Sequence, residues 1–187
     1  MSDTALIGKA AAYLGEVPQG CQVLILSEDF TAYSRSAQVC RRIMDQMGRH
    51  TDFDFRCWTF PELAEPECAH TATKYAASAD MIILSPQSAS LPRVLNEWLD
   101  GLHLARFRPV GLLVLVLNKP APQPEIDRLL LRLDTLAMRL VMDFMPLLPP
   151  TAEKTGWQPQ SLEHWEMRLG RPDAEPTRHV DHWGLNE

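Results

Sequence analysis

Three short stretches of the chain carry groups suited to ligand chemistry. The first reads Ser27-Glu28-Asp29-Phe30-Thr31-Ala32-Tyr33-Ser34-Arg35-Ser36. Hydroxyls and an arginine at the start of a helix can cradle a phosphate, because the first turn leaves its backbone N–H groups free. Glu28 and Asp29 add negative charge that opposes a phosphate dianion. The second stretch reads Ser85-Pro86-Gln87-Ser88-Ala89-Ser90-Leu91-Pro92, and the third is Asn118-Lys119-Pro120. Other reactive residue types form no comparable group. Cys21, Cys40, Cys57 and Cys68 are widely spaced without a CxxC pair and read as buried free thiols. A redox role would require a thiol of lowered pKa. The histidines, His50, His70, His103, His164, His179 and His182, fall outside the three stretches, so no Ser–His–acid arrangement is legible. His179, Asp181 and His182 could approach a metal, but zinc sites usually draw ligands from separated segments as well, and packing is the weightier reading.

These stretches matter only if the fold brings them together. Cys21 to Ser27 is an almost wholly apolar run bounded by turn residues, as expected of a strand covered on both faces. Tyr33, Ala37, Cys40, Ile43 or Met44, and Met47 recur at steps of three and four, predicting a helix closed by Gly48. Asp52 to Trp58 alternates apolar and polar residues and reads as a half-exposed edge strand. A helix over Cys68 to Ser78 and a buried strand over Met81 to Leu84 follow. Ser90 is placed to cap the next helix, with Pro92 in its first turn and Val94, Leu95, Trp98, Leu99 and Leu102 as its stripe.

Gly111 to Leu117 reads as a fourth strand and Met142 to Leu147 as a fifth. Between them a helix opens at Pro124 and carries Ile126, Leu130, Leu133, Ala137 and Leu140. Leu129 and Leu136 are apolar positions off that stripe, to be covered by the tail or by a second subunit. Strands alternating with helices predict right-handed crossovers and a doubly wound parallel sheet of α/β class, in the order 2-1-3-4-5. Ligands bind such sheets at the carboxyl ends of the strands, where the order reverses. That rim gathers Ser27, Glu28, Asp29, Ser34, Arg35, Ser36, Ser85, Pro86, Gln87, Ser88 and Asn118 as candidate site residues.

The segment Ala79 to Asp100 resembles the NAD(P)H-dependent FMN reductases of the flavodoxin-like superfamily. The shared features are an Ala-Asp pair before an apolar strand, a Pro-containing loop, an x-Pro helix start and a Leu-Asp near the helix end. The Ser/Arg-rich turn before the first helix is similar, and the likeness spans Cys21 to about Asn118. The resemblance implies a flavodoxin-like three-layer sandwich. It also implies bound FMN, with Ser34, Arg35 and Ser36 at the phosphate and Pro86, Gln87 and Ser88 beside the ring. The chain departs from the family at three points: no glycine in the first loop, no aromatic at Gln87-Ser88, and no Gly-rich turn after Asn118. Glu28, Asp29 and Lys119 resemble the acidic pair and lysine of response-regulator receiver domains, but Ser85 stands where the phosphoacceptor aspartate is due. The ending Arg178 to Glu187 resembles that of a group of uncharacterised bacterial proteins with similar sheets, which implies no activity.

A chain of 187 residues fits one domain with an appendage, here residues 1–148 followed by a Pro- and Trp-rich tail over 149–187. Trp157, Trp165 and Trp183 predict that the tail packs on the domain or on a partner subunit, with Trp183 in a groove. A net charge of −6 argues against nucleic acid or an anionic membrane as partner. The first residues lack a basic leader, and no apolar run is of membrane-spanning length, so a cytoplasmic location is expected. A complete fold pattern with incomplete ligand loops makes a non-catalytic module acting through protein contacts, with a protein partner or as a homodimer, the leading expectation. An FMN-binding oxidoreductase and a degenerate receiver-like regulator are the alternatives.

Overall fold

The computed structural model describes residues 20–47, 53–102 and 111–149. The sequence from Asp3 to Gly15, a short amphipathic pattern with Leu6, Ala10, Tyr13 and Leu14 on one side, and the tail, with its three tryptophans and the His179–His182 cluster, lie outside these residues. Five strands form one sheet: β1 (Cys21–Ser27), β2 (Phe53–Thr59), β3 (Met81–Ser85), β4 (Leu112–Val116) and β5 (Asp143–Leu147). All pairs are parallel and the order is β2-β1-β3-β4-β5. The sequence-based fold class and strand order therefore hold, and the arrangement is that of a flavodoxin-like fold.

The helices are α1 (Phe30–Met47), α2 (Pro66–Ser78), α3 (Arg93–Leu102) and α4 (Gln123–Arg139), with a 3-10 turn over Pro61–Ala64 before α2. Every residue of β3 and β4 is buried. Their side chains alternate between two cores, which is why these strands read as continuous apolar runs. Leu24, Leu26, Ile82, Leu84, Leu113, Leu115 and Phe144 join the core that holds Ala72 and Ala76 of α2, Leu95 and Leu99 of α3, and Leu130 and Leu133 of α4. Val23, Ile25, Met81, Ile83, Val114 and Val116 face the other way, with Val39, Cys40 and Ile43 of α1. The opposite direction of the β1-to-β2 step places α1 on its own side, as right-handed crossovers require.

Several local expectations change. Helix α1 starts at Phe30, before the anticipated stripe, and buries Ala32, Ser36, Val39, Cys40 and Ile43, leaving Tyr33 and Ala37 half-buried. Helix α3 starts at Arg93, so Ser90 lies before its cap position; the carbonyl of Pro92 accepts the first helical bond, from Asn96 N–H at 3.1 Å. Leu129 and Leu136 are buried in the same core as Leu95, Leu99 and Leu102, so no second subunit is needed to cover them. The apolar residues that α4 exposes are Leu131 and Met138. Of the four cysteines, all of them free thiols, Cys21 and Cys40 are buried, Cys68 is half-buried and Cys57 is exposed. No helix among the described residues is long and apolar enough to cross a membrane.

Candidate functional site at the carboxyl ends of the strands

In-register pairing of Ser27 with Thr59 and with Ser85 sets the first three strand ends side by side. Asn118 is level with the turn after β3, because its N–H donates to Pro86 O at 3.1 Å and Lys119 N–H donates to Gln87 O at 3.0 Å. The rim therefore forms where the strand order reverses, between β1 and β3, as such sheets allow.

At the start of α1, Asp29 occupies the cap position. Its main-chain carbonyl accepts Tyr33 N–H at 2.9 Å, and its Oδ1 accepts Ala32 N–H at 2.8 Å. Both carboxylate oxygens also accept the Gln87 side-chain amide, at 2.9 and 2.8 Å. The Ala32 N–H bond, reinforced by the Gln87 amide, holds the Asp29 carboxyl below the usual carboxylate range, and the charge of Lys119 adds a smaller push in the same direction. Glu28 ties the same loops together a second time. Its N–H donates to Ser85 O at 3.1 Å, and its carboxylate accepts Gln87 N–H at 2.7 Å.

Below the surface, Ser85 is fully buried, and its hydroxyl donates to Ala32 O at 2.9 Å. Asn118 Nδ2 donates to Ser85 Oγ at 2.9 Å and to Pro86 O at 2.8 Å. Ser36 is also fully buried, and its hydroxyl donates to the same Ala32 carbonyl at 3.2 Å. Arg35 lies across the end of β4, with Nη1 donating to Leu117 O at 3.0 Å and Asn118 O at 3.3 Å. Ser27 is buried, and its carbonyl accepts Phe60 N–H at 2.8 Å. Because α1 begins at Phe30, Ser34, Arg35 and Ser36 stand in its second turn, where backbone N–H groups bond within the helix.

The structure thus brings Ser27, Glu28, Asp29, Arg35, Ser85, Pro86, Gln87 and Asn118 together, and mostly engages them with one another. Ser34 is half-buried on α1, and Ser88 is exposed, with its hydroxyl 3.4 Å from Ser90 O. Two participants carry no signal in the sequence. The Ala32 carbonyl is a main-chain acceptor on an apolar residue, and Phe30 stands beside the acids with 79% of its surface exposed. Its ring centroid lies 6.2 Å from that of Tyr33.

Away from the rim, burial pushes the Cys40 thiol up to about 12. Burial also raises Cys57, partly offset by its hydrogen bond with the Tyr33 hydroxyl. Neither thiol has the lowered pKa that nucleophilic or redox chemistry requires. Among the described residues, no group of three or more His, Cys, Asp or Glu side chains is placed to hold a metal ion.

Comparisons with protein-family models, curated proteins and solved structures found no match to this chain.

Proposed function

We propose that this domain is a flavodoxin-like module that works through protein contacts, without flavin chemistry. The observation that carries the reading is the position of the Asp29 carboxylate. It sits on the first-turn N–H of α1 that a bound phosphate would need. Adding FMN there would bring a phosphate dianion against Asp29 and Glu28, and would require Gln87 to release both acids. Arg35, the cation expected at the phosphate, is engaged by the carbonyls of Leu117 and Asn118. The exposed ring of Phe30, bordered by acids, offers the kind of aromatic anchor on which protein interfaces rely. A cytoplasmic setting fits the free thiols.

The test has two arms. The purified full chain is expected to be colourless and to gain no thermal stability from added FMN. Stoichiometric flavin absorbance, or a saturable rise in melting temperature, would overturn the reading. A photo-crosslinker placed at Phe30 in cells is expected to give a discrete protein adduct, while one at Asp127, on the exposed side of α4, gives none. Equal diffuse labelling from both positions would count against a contact surface at the rim.

A further inference from the structure

Strand β2 lies at one edge of the sheet, and among the described residues no strand pairs with its outer side; Phe53 and Trp58 pack against the two cores, while Asp54, Phe55, Arg56 and Cys57 between them are exposed. Edge strands left open in this way can pair with another strand. The phase of the open edge follows from one hydrogen bond. Phe60 donates its N–H inward to Ser27 O at 2.8 Å. Alternation along a parallel ladder then turns the main-chain groups of Trp58, Arg56 and Asp54 inward too, leaving those of Phe53, Phe55 and Cys57 pointing out.

We propose that β2 is a homodimer interface, in which two copies of this chain join their β2 strands antiparallel about a twofold axis at Phe55. An antiparallel partner must match outward-pointing residues with outward-pointing residues, so a symmetric pairing can centre only on an outward or an inward position. Centred on Phe55, residue 54 of one copy faces residue 56 of the other. Asp54 then meets Arg56 of the second copy twice over, at the closer, non-hydrogen-bonded pairs, where Cα atoms stand about 4.5 Å apart. Centring on Asp54 or on Arg56 would instead set like charges face to face. Asp54 and Arg56 share one face of β2 as an ion pair 3.8 Å apart, with side chains 50% and 59% exposed, and the Arg56 guanidinium lies 6.0 Å from the Tyr75 ring centroid.

On the opposite face, Phe55 would meet its own copy across the axis, and Phe53 would meet Cys57. The stacked rings of Phe53 and Phe55, 5.8 Å between centroids, already form an aromatic ledge there. Self-complementarity of this kind is what an isologous twofold interface demands, and it selects a second copy over an unrelated strand. The inference rests on reading the domain as a contact module and names one partner, at a surface separate from the loop rim.

Sedimentation velocity of the full chain across a concentration series tests it. A reversible dimer is expected, weakened at least tenfold by Arg56→Asp or by Asp54→Arg and restored when both substitutions are combined. Native-state amide exchange of the unmodified chain gives a readout that depends on no variant. With rising concentration, the amides of Phe53, Phe55 and Cys57 should slow while those of Asp54 and Arg56 stay constant. A chain that is monomeric throughout, a dimer indifferent to the single substitutions, or a double variant that fails to recover would overturn the proposal. A colourless monomer would leave the contact-module reading standing with another partner, whereas a flavin-bearing chain would remove that reading itself.

Discussion

Asp29 shows how a candidate binding residue becomes a structural one. Its carboxylate satisfies a first-turn N–H of α1 and holds Gln87, joining the loops after β1 and β3. Asp29→Ala should therefore lower the melting temperature, as loss of an N-cap does. Because folding depresses the Asp29 pKa, its contribution is complete above the ordinary carboxylate range, about pH 4, and is lost as pH falls through the depressed value. Glu62 follows the same rule, since the backbone N–H of Thr59 and then its hydroxyl hold it low. Melting curves taken from neutral into acid should show a shallower acid decline for Asp29→Asn than for the unmodified chain; identical slopes would contradict this. Most rim residues were legible from sequence because strand ends must converge. Their orientation was not. Ser36 turns inward because α1 starts at Phe30, and helix phase decides where a hydroxyl points. Ala32 could not have been found, since its role belongs to a main-chain carbonyl that no residue type announces.

At the scale of elements, β1, β3 and β4 were legible as short apolar runs, because strands buried on both faces need no alternation, whereas Asp143 and Pro146 interrupt that pattern in β5. Strand β2 was placed at the edge correctly, but its alternating pattern suggested one covered face, whereas Phe55 and Cys57 are exposed. Alternation records which side chains share a face, not whether anything covers that face. Helix α4 ends in a turn that the sequence did not signal. Val141 sits at φ 55°, where β-branched residues are strained, while Met142 N–H donates to Ala137 O at 2.8 Å and Val141 N–H to Met138 O at 3.2 Å. Glycine normally fills this position. Since Val141 is exposed, Val141→Gly should stabilise the domain by about 1 kcal/mol in chemical denaturation; a loss of stability would contradict the strain. Along the same helix, Leu130→Ala should cost about 2–5 kcal/mol because Leu130 is fully buried. Leu131→Ala should stay within about 0.5 kcal/mol because Leu131 itself faces outward.

In the whole molecule, the place where a doubly wound sheet usually takes a ligand is crossed by hydrogen bonds between its own loops. Two acids, one glutamine amide, one asparagine amide and one buried serine hydroxyl complete each other there. Among the described residues, the surfaces proposed for recognition are the exposed Phe30 beside that rim and the edge of β2. Fold alone does not assign a function, and here the fold retains the crevice position while its chemistry is turned inward. The most direct test follows the Ala32 backbone amide by NMR in the full chain, during FMN addition at neutral pH and then during acidification. If the Asp29 carboxylate holds the start of α1, the Ala32 signal stays fixed as FMN is added and moves only when pH falls through the depressed pKa of Asp29. A saturable shift of that signal with FMN at neutral pH would contradict the account.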